Sequence, residues 1–310
     1  MISVVIPLDS YGQWAREAIN SCVNDDEQLE IILVLSKTIS AKMNEIKSDY
    51  PSRNGKSFNV FVQGGIGLSS ALNEAVFVSS HELIARLDSD DILAVGRLKL
   101  QKDFLLSNPN YVAVGGQVEL IDALGNGIRK IYRPISDSSI RKQIVFGNCF
   151  THSAMMFRKR VFDTAGGYNV KSNAEDFELW SNMITIGKMA NLPALACYSR
   201  IHEKQISVIN SNPVSASNYQ IIQKNILFFD HKITNLEGFD QLPFWMRFAI
   251  NLKTLAFYRF SEARKLSHTG FQGGLNVMLG MGCALVLWPT CIFRYMDSRR
   301  PKSARVQTLD

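Results

Sequence analysis

Acidic residues cluster at the end of one apolar segment. The stretch IARLDSDDI, residues 84–92, places Asp88, Asp90 and Asp91 within four positions. Three neighbouring carboxylates repel one another, so they need water around each of them or a cation between them. In an extended chain, Asp88 and Asp90 would project to one side and Asp91 to the other. The run therefore fits either a Mg²⁺ or Mn²⁺ site or an acidic turn before a helix that begins near Val95.

A second acidic pair stands in EDFELW, residues 175–180, where the pattern predicts the start of a helix. Acidic residues in a first turn commonly cap the helix and interact favourably with its dipole. From the residues alone, Glu175 and Asp176 therefore fit a structural role better than a catalytic one. Beside a substrate hydroxyl, one of these carboxylates could act as a general base.

The composition is that of a folded protein with reduced thiols. The chain has 310 residues, of which 46% are hydrophobic and 20% charged, enough for a sizeable core and one or two domains. Its five cysteines are odd in number and scattered, without CxxC spacing, which favours a cytosolic setting over a disulfide framework or a zinc site. The apolar run at the start ends at Asp9 without a preceding basic segment, so we expect no signal peptide.

Apolar runs of strand length alternate with helical patterns along the first part of the chain. The predicted strands are 2–7, 29–36, 58–63 and 81–87. The predicted helices are 12–23 and 68–80. This alternation predicts parallel βαβ units with helices on both faces of a sheet. Ligands of such open sheets bind outside the carboxyl ends of the strands, where the DSDD run stands.

The chain over residues 65–122 resembles bacterial family 2 glycosyltransferases and carries their Asp-x-Asp motif as Asp88-Ser89-Asp90. The similarity continues through motifs that stand in the family's order: SVVIP, THSAMMFRK, GGY, EDFELW and NLPALACYSRIHEKQIS. Together these motifs extend over residues 2–207, and the ordered set is far more specific than any one of them.

This resemblance implies the two-lobed α/β fold called GT-A, a Rossmann-like and mostly parallel sheet with helices on both faces. We expect a catalytic domain over residues 1–210, with a nucleotide-sugar half at about 1–122 and an acceptor half at about 123–210. A C-terminal helical and basic region would follow over residues 211–310.

The resemblance also implies the transfer of a sugar from a nucleotide-diphosphate sugar to an acceptor hydroxyl, with inversion of the anomeric configuration. Asp90 would bind a divalent cation that bridges both phosphates, and Asp88 would orient the ribose or a water molecule or join the metal shell. The family's Glu-Asp motif supplies the base at its second position, which is Asp176 in this chain. Glu175 would then help to hold the site or the acceptor.

Two histidines gain a context from the same resemblance. His202, in YSRIHEKQIS, stands where related enzymes complete the metal shell or contact the diphosphate, and imidazole favours Mn²⁺ over Mg²⁺. The alternative is a loop histidine that is hydrogen-bonded to the main chain. His152, in THSAMMF, falls where the family lines its acceptor pocket, although a histidine packed on an apolar strand fits the residues equally well.

One departure leaves the nucleotide base open. After its second strand the family usually has an acidic pair that bonds to the uracil edge, whereas this chain has Leu35, Ser36 and Lys37. Ser36 can hydrogen-bond a base but carries no charge, so a UDP-sugar is only the default donor. The other positions that we expect around the nucleoside are Pro7, Asp9 and Gly67.

The positive charge is concentrated near the C-terminus. The formal net charge is +6, and residues 241–310 alone carry ten Lys and Arg against three Asp and Glu. Residues 242–260 mix apolar side chains with spaced cations, and 266–293 contain no charged residue before a basic cluster. These features predict a segment on or near an anionic membrane surface, the alternative being a core helix pair with a solvated tail.

The combined prediction is a cytoplasmic enzyme, peripheral at the inner face of the cytoplasmic membrane, that builds an O-antigen or capsule repeat on a saccharide acceptor linked to a lipid diphosphate. A nucleotidyltransferase is the first alternative, but it should carry a glycine-rich loop with a catalytic cation where this chain has PLDSYGQW. A non-catalytic saccharide- or lipid-binding subunit is the second. A nucleic-acid partner is not expected, because the cations lie beside apolar segments and form no known binding motif.

Overall fold

A computed structural model describes residues 1–202, 211–231 and 250–255, which fall into two compact units. The first unit comprises Met1–Ile135 and Phe150–Val214, and the second comprises Ser136–Cys149 and Ser215–Asp310. Most of the predicted membrane-surface segment 242–260, and all of 266–310, lie outside the described residues. The domain boundary near residue 210 stays a prediction.

Four parallel strands form the first half of the sheet: β1 (Ile2–Leu8), β2 (Leu29–Leu35), β3 (Lys56–Val62) and β4 (Leu83–Arg86). All seven residues of β2 are buried, as expected of a parallel strand that is covered on both faces. The helices between these strands are α1 (Gln13–Val23), α2 (Met43–Asp49) and α3 (Leu68–Val78). Helix α1 buries residues at helical spacing: Ala15, Ala18, Ile19 and Cys22.

The remaining elements are β5 (Ile92–Leu93), α4 (Arg97–Ser107), β6 (Tyr111–Ile121), β7 (Gly127–Ile131), α5 (Asp137–Gln143), β8 (Met156–Arg158), α6 (Lys159–Thr164), α7 (Glu175–Ile186), β9 (Lys188–Arg200) and α8 (Ser211–His231). The strand order is β3-β2-β1-β4-β8-β6-β9-β5, and β7 pairs with β6 outside this path. Strand β8 is antiparallel to both β4 and β6, while β6 and β9 are parallel.

The sheet curls, and the acidic run lies where it closes. Strands β4 and β5 are joined only by residues 87–91, yet β8, β6 and β9 stand between them in the strand order. Strand β5 completes the curl by pairing antiparallel with β9, Ile92 opposite Tyr198. The DSDD run is therefore the connection that crosses from the parallel half of the sheet to its far edge.

The second unit contains α5 and most of α8. The Ser136 hydroxyl oxygen accepts a hydrogen bond from the Ser139 main-chain N–H and so caps α5. The Asn225 side-chain amide donates to the Ile144 carbonyl oxygen at 3.1 Å, and the Arg141 guanidinium lies 5.7 Å from the centre of the Phe229 ring. Across the described parts of the chain, none of the helices is both long and apolar enough to cross a bilayer.

Candidate active site

The DSDD run folds into a tight turn and does not continue the extended geometry of β4 as far as Asp90. The main-chain N–H of Asp91 donates to the carbonyl oxygen of Asp88 at 3.2 Å. The Asp91 side chain is buried, and its Oδ1 accepts a hydrogen bond from the main-chain N–H of Arg200 at 2.8 Å. Burial, followed by the charges of Asp88 and Asp90, raises the pKa of Asp91 to about 8.

Asp88 is held by groups of the protein on both of its carboxylate oxygens. The buried Arg86 guanidinium donates to Oδ1, and the Ser153 hydroxyl donates to Oδ2 at 2.6 Å. Ser153 Oγ also accepts the main-chain N–H of Asp88 at 2.8 Å. Burial opposes ionisation of this carboxyl, but the charge of Arg86 and the hydrogen bonds from Ser153 and Arg86 act together with smaller contributions to hold the pKa of Asp88 below its ordinary value.

Asp90 meets His202 directly, although the two residues are 112 positions apart. The distance from Asp90 Oδ2 to His202 Nε2 is 2.8 Å, and both side chains remain partly open to solvent, with 27% and 14% exposed. Burial, and then repulsion from Asp88, raise the pKa of Asp90. The fold therefore brings together two of the three side chains that the sequence marked as candidate metal ligands, while the third, Asp88, is hydrogen-bonded to Arg86 and Ser153.

This pair has the chemistry of part of a metal shell. One carboxylate oxygen and one imidazole nitrogen suit Mn²⁺, with the remaining positions left to diphosphate oxygens or water. Among the described residues, no group of three or more His, Cys, Asp or Glu side chains is arranged to hold a metal ion. The protein thus offers two ligands at this point, in line with a metal that is bound together with its substrate.

Glu175 and Asp176 are the first two residues of helix α7. Residue Ala174 occupies the N-cap position, and Asp176 Oδ1 accepts from the adjacent Phe177 N–H at 2.6 Å. Burial, followed by the negative charge of Asp176, raises the pKa of Glu175 to about 7. The charges of Arg86 and Asp88 also act on Glu175, so the start of α7 lies within electrostatic range of the DSDD turn.

His152 lies on a short 3₁₀ turn before β8 and faces the same region. Its Nε2 lies 2.8 Å from the Tyr168 hydroxyl, and its ring packs edge-on against Trp180 at 6.1 Å between ring centres. Burial, followed by the charge of Arg86, lowers the pKa of His152 to about 3, so the imidazole is neutral. Burial raises the pKa of Tyr168, and the negative charges of Asp176 and Glu175 raise it further, so Tyr168 lies within electrostatic range of the acidic pair.

The predicted nucleoside positions stand at neighbouring strand ends. Pro7 lies near the end of β1 and Asp9 directly follows that strand, and the Ser36 main-chain N–H, just after β2, donates to the Leu8 carbonyl oxygen at 2.7 Å. The Ser36 hydroxyl lies 2.6 Å from the Thr38 hydroxyl. Gly67 is the N-cap residue of α3, at a φ of 87° that favours glycine.

Gly64 and Gly65, in the loop between β3 and α3, bind a carboxylate of the protein through their main-chain N–H groups. The main-chain N–H groups of Gly64 and Gly65 donate to the Glu74 carboxylate at 2.7 and 2.9 Å. These two N–H groups therefore fix the loop to helix α3 in the described structure.

Five residues near this site were not predicted from the sequence: Trp14, Arg86, Ser153, Tyr168 and Arg200. The two arginines carried a usable signal, because each interrupts or ends an apolar segment, in HELIARL and in NLPALACYSR. A cation at the end of a buried strand must find several hydrogen-bond acceptors, and such acceptors gather at strand ends.

Comparisons with known proteins assign this chain to a family. Residues 3–166 match the model of the family described as glycosyl transferase family 2. The chain belongs to this family. It is a glycosyltransferase, which favours sugar transfer over the nucleotidyltransferase and non-catalytic alternatives.

Two curated relatives come from Escherichia coli. The O-antigen biosynthesis glycosyltransferase WbnJ is 30% identical over 208 residues, which cover 66% of this chain and 81% of the relative. A protein named UDP-Gal:alpha-D-GlcNAc-diphosphoundecaprenol beta-1,3-galactosyltransferase is 28% identical over 160 residues, covering 51% of this chain and 57% of that protein. This family 2 chain is therefore of the surface-polysaccharide type.

A solved structure supports the fold. The mannosyltransferase PcManGT from Pyrobaculum calidifontis, in complex with GDP-Man and Mn²⁺, superposes with a TM-score of 0.56 at 15% sequence identity. The match covers 96% of this chain and 83% of that one. At this identity the likeness concerns the fold alone, and it confirms the predicted GT-A architecture.

Proposed function

We propose that this glycosyltransferase is metal-dependent and inverting, and that it moves a sugar from a nucleotide-diphosphate sugar to a hydroxyl of a saccharide acceptor. The observation that carries the proposal is the convergence of Asp90, His202 and the acidic pair of α7 on one site around Asp88. These groups come from three segments of the chain that lie far apart in the sequence: the DSDD turn, the start of α7 and the residues after β9.

The metal would be held by Asp90 and His202. When bound, the ion would supply positive charge to the diphosphate that leaves the sugar. The imidazole favours Mn²⁺ over Mg²⁺. Both oxygens of Asp88 already accept hydrogen bonds from Arg86 and Ser153, so we assign Asp88 to orienting the ribose or a water molecule.

Asp176 would take the proton from the attacking hydroxyl, and its neighbour supports this role. Two adjacent carboxyls in a partly buried site resist carrying two negative charges. Because the pKa of Glu175 is raised to about 7, Glu175 carries a proton in part of the population at neutral pH. The pair then holds less negative charge, and Asp176 stays available as the base. A base on the face opposite the leaving group gives inversion in a single displacement.

The acceptor would be a saccharide linked to a lipid diphosphate, and His152 would line its pocket together with Tyr168. The diphosphoundecaprenol-linked substrate in the name of the second Escherichia coli relative supports this acceptor class. The basic and apolar composition of residues 241–310 supports a location at the inner face of the cytoplasmic membrane. UDP-sugars remain the default donors.

The decisive experiment is a transfer assay with a panel of UDP-, GDP- and dTDP-sugars, each with Mn²⁺, with Mg²⁺ and with EDTA. The acceptor is a synthetic saccharide diphosphate lipid, and its matched control is the same saccharide without the lipid. We expect one donor to react, Mn²⁺ to support the faster rate and the product to have the inverted configuration. A retained configuration, or equal rates in EDTA, would contradict the mechanism.

A further inference from the structure

Arg200 is a buried cation that joins three segments around the metal-ligand pair. It is the last residue of β9 and stands two positions before His202, and only 1% of its side chain is exposed. Its guanidinium donates to the main-chain oxygens of Asp90 at 2.9 Å and Ala123 at 3.0 Å, and to Glu17 Oε2 at 2.6 Å. The partners belong to the DSDD turn, to the turn between β6 and β7, and to helix α1.

The main chain of Arg200 binds the same turn a second time. Its N–H donates to Asp91 Oδ1 at 2.8 Å, while its side chain holds the carbonyl of Asp90. Both residues of the turn are thus fixed by one residue of β9. The side chain of Asp90 is then in contact with His202, and the side chain of Asp91 is buried.

Trp14 completes this arrangement from helix α1. The Arg200 guanidinium lies 5.3 Å from the centre of the Trp14 ring, a cation–π distance. The same ring lies 4.8 Å from the His202 ring, and its Nε1–H donates to the Ala123 carbonyl oxygen at 3.1 Å. The Trp14 ring therefore packs against the imidazole of His202 and restricts its position relative to Asp90.

A merely structural arginine would not need this set of partners. The buried Arg158, for comparison, donates to the carbonyl oxygens of Tyr111 and Leu105 and has no candidate site residue among them. A lysine has only one nitrogen and cannot reach acceptors in three segments, so the planar guanidinium matters at position 200. Outer groups that orient ligands commonly change metal affinity about 10–100-fold when they are removed.

We infer that Arg200 and Trp14 are positioning residues that set the spacing of Asp90 and His202 for the metal. This inference rests on the proposed function, since it assumes that these two residues bind the ion. Neither Arg200 nor Trp14 would touch the reacting atoms. Their loss should therefore weaken metal binding while leaving the chemical step intact once metal is supplied in excess.

The test measures Mn²⁺ binding directly, by electron paramagnetic resonance in the presence of UDP, on the full chain. We compare wild type with Arg200→Met, Arg200→Lys and Trp14→Ala, and use Arg158→Met as the control for losing a buried arginine. Circular dichroism and melting temperature establish that each variant is folded. Transfer is then measured as a function of Mn²⁺ concentration.

We expect Arg200→Met and Trp14→Ala to raise the Mn²⁺ dissociation constant about 10–100-fold. Arg200→Lys should lie between wild type and Arg200→Met, and Arg158→Met should bind Mn²⁺ as wild type does. Excess Mn²⁺ should restore most of the turnover of the Arg200 variants. Should Arg200→Met not fold, Arg200→Lys and Trp14→Ala carry the test.

Wild-type Mn²⁺ affinity in folded Arg200 and Trp14 variants would overturn the inference and leave the proposed function standing. Equal losses in the Arg158→Met control would also overturn it, because the effect would then be one of general stability. Failure of the wild-type chain itself to bind Mn²⁺ with UDP, and then also with GDP and with dTDP, would refute the metal-dependent mechanism, and the inference with it.

Discussion

Replacing Glu175 with glutamine should change how the stability of the protein depends on pH. In the folded chain, burial and the negative charge of Asp176 raise the pKa of Glu175 from 4.5 to about 7. Unfolding restores the ordinary value, so the folded state binds more protons between these two pKa values. The contribution of Glu175 to stability is therefore full below about pH 4.5 and is lost as the pH rises through about 7.

The size of the effect follows from the two pKa values. Their difference corresponds to about 3 kcal/mol of unfolding free energy. Most of it falls between pH 5 and pH 8, where the unfolded carboxyl has already ionised and the folded one is ionising. Glutamine keeps the shape of the side chain but cannot ionise. The stability of Glu175→Gln relative to wild type should thus rise by roughly 2–3 kcal/mol across this range.

Urea denaturation followed by circular dichroism, repeated at several pH values from 5 to 8, measures this difference. Glu74→Gln is the control, because its pH dependence should lie elsewhere. Burial opposes ionisation of Glu74, but the N–H groups of Gly64 and Gly65 outweigh it and hold the pKa of Glu74 below its ordinary value. Its contribution is lost only as the pH falls, so the Glu74→Gln offset should be constant. A constant Glu175→Gln offset would refute the reasoning.

Three further predictions concern activity and location. Asp176→Asn should fold normally and bind donor as wild type does, while turnover falls about 10²–10⁴-fold. Normal turnover with a lower melting temperature would show that Asp176 stabilises the start of the helix and is not the base. Chelation by EDTA should abolish transfer reversibly and Asp90→Ala should abolish it outright, whereas full activity in EDTA would exclude the metal. Binding to anionic vesicles should weaken as salt rises, and it should weaken again when serine replaces the cluster Arg294, Arg299, Arg300, Lys302 and Arg305. An intact chain that ignores such vesicles at low salt would contradict the membrane assignment.

The parallel half of the sheet could be predicted from the sequence because its signal is local. A strand that is covered on both faces is apolar throughout, and LEIILVL of β2 is such a run. The prediction of 29–36 therefore agrees with the observed Leu29–Leu35 to within one residue. The fourth strand was predicted as 81–87 and observed as Leu83–Arg86, a difference confined to its ends.

The other half could not be predicted because its signal is not local. Strand β8 has three residues, MFR, and a run of that length has no periodicity to detect. Its antiparallel place between β4 and β6 depends on pairings with distant segments. The DSDD turn has the same origin, since Arg200 holds Asp91 from 109 positions away. Alternation within the run could not reveal a partner so far along the chain.

The curl of the sheet has a consequence for the order in which the molecule assembles. Strands β1 to β4 pair within the first 86 residues, so this half can form as soon as that much of the chain has been synthesised. Strand β5 has no partner until β9, which ends at Arg200, has been made. When the nascent chain has emerged only as far as β5, the carboxylates of its acidic turn thus lack both Arg200 and His202 as partners. We therefore expect the DSDD turn to acquire its working shape late, and chains that end before β9 to keep the parallel core without a metal-binding turn.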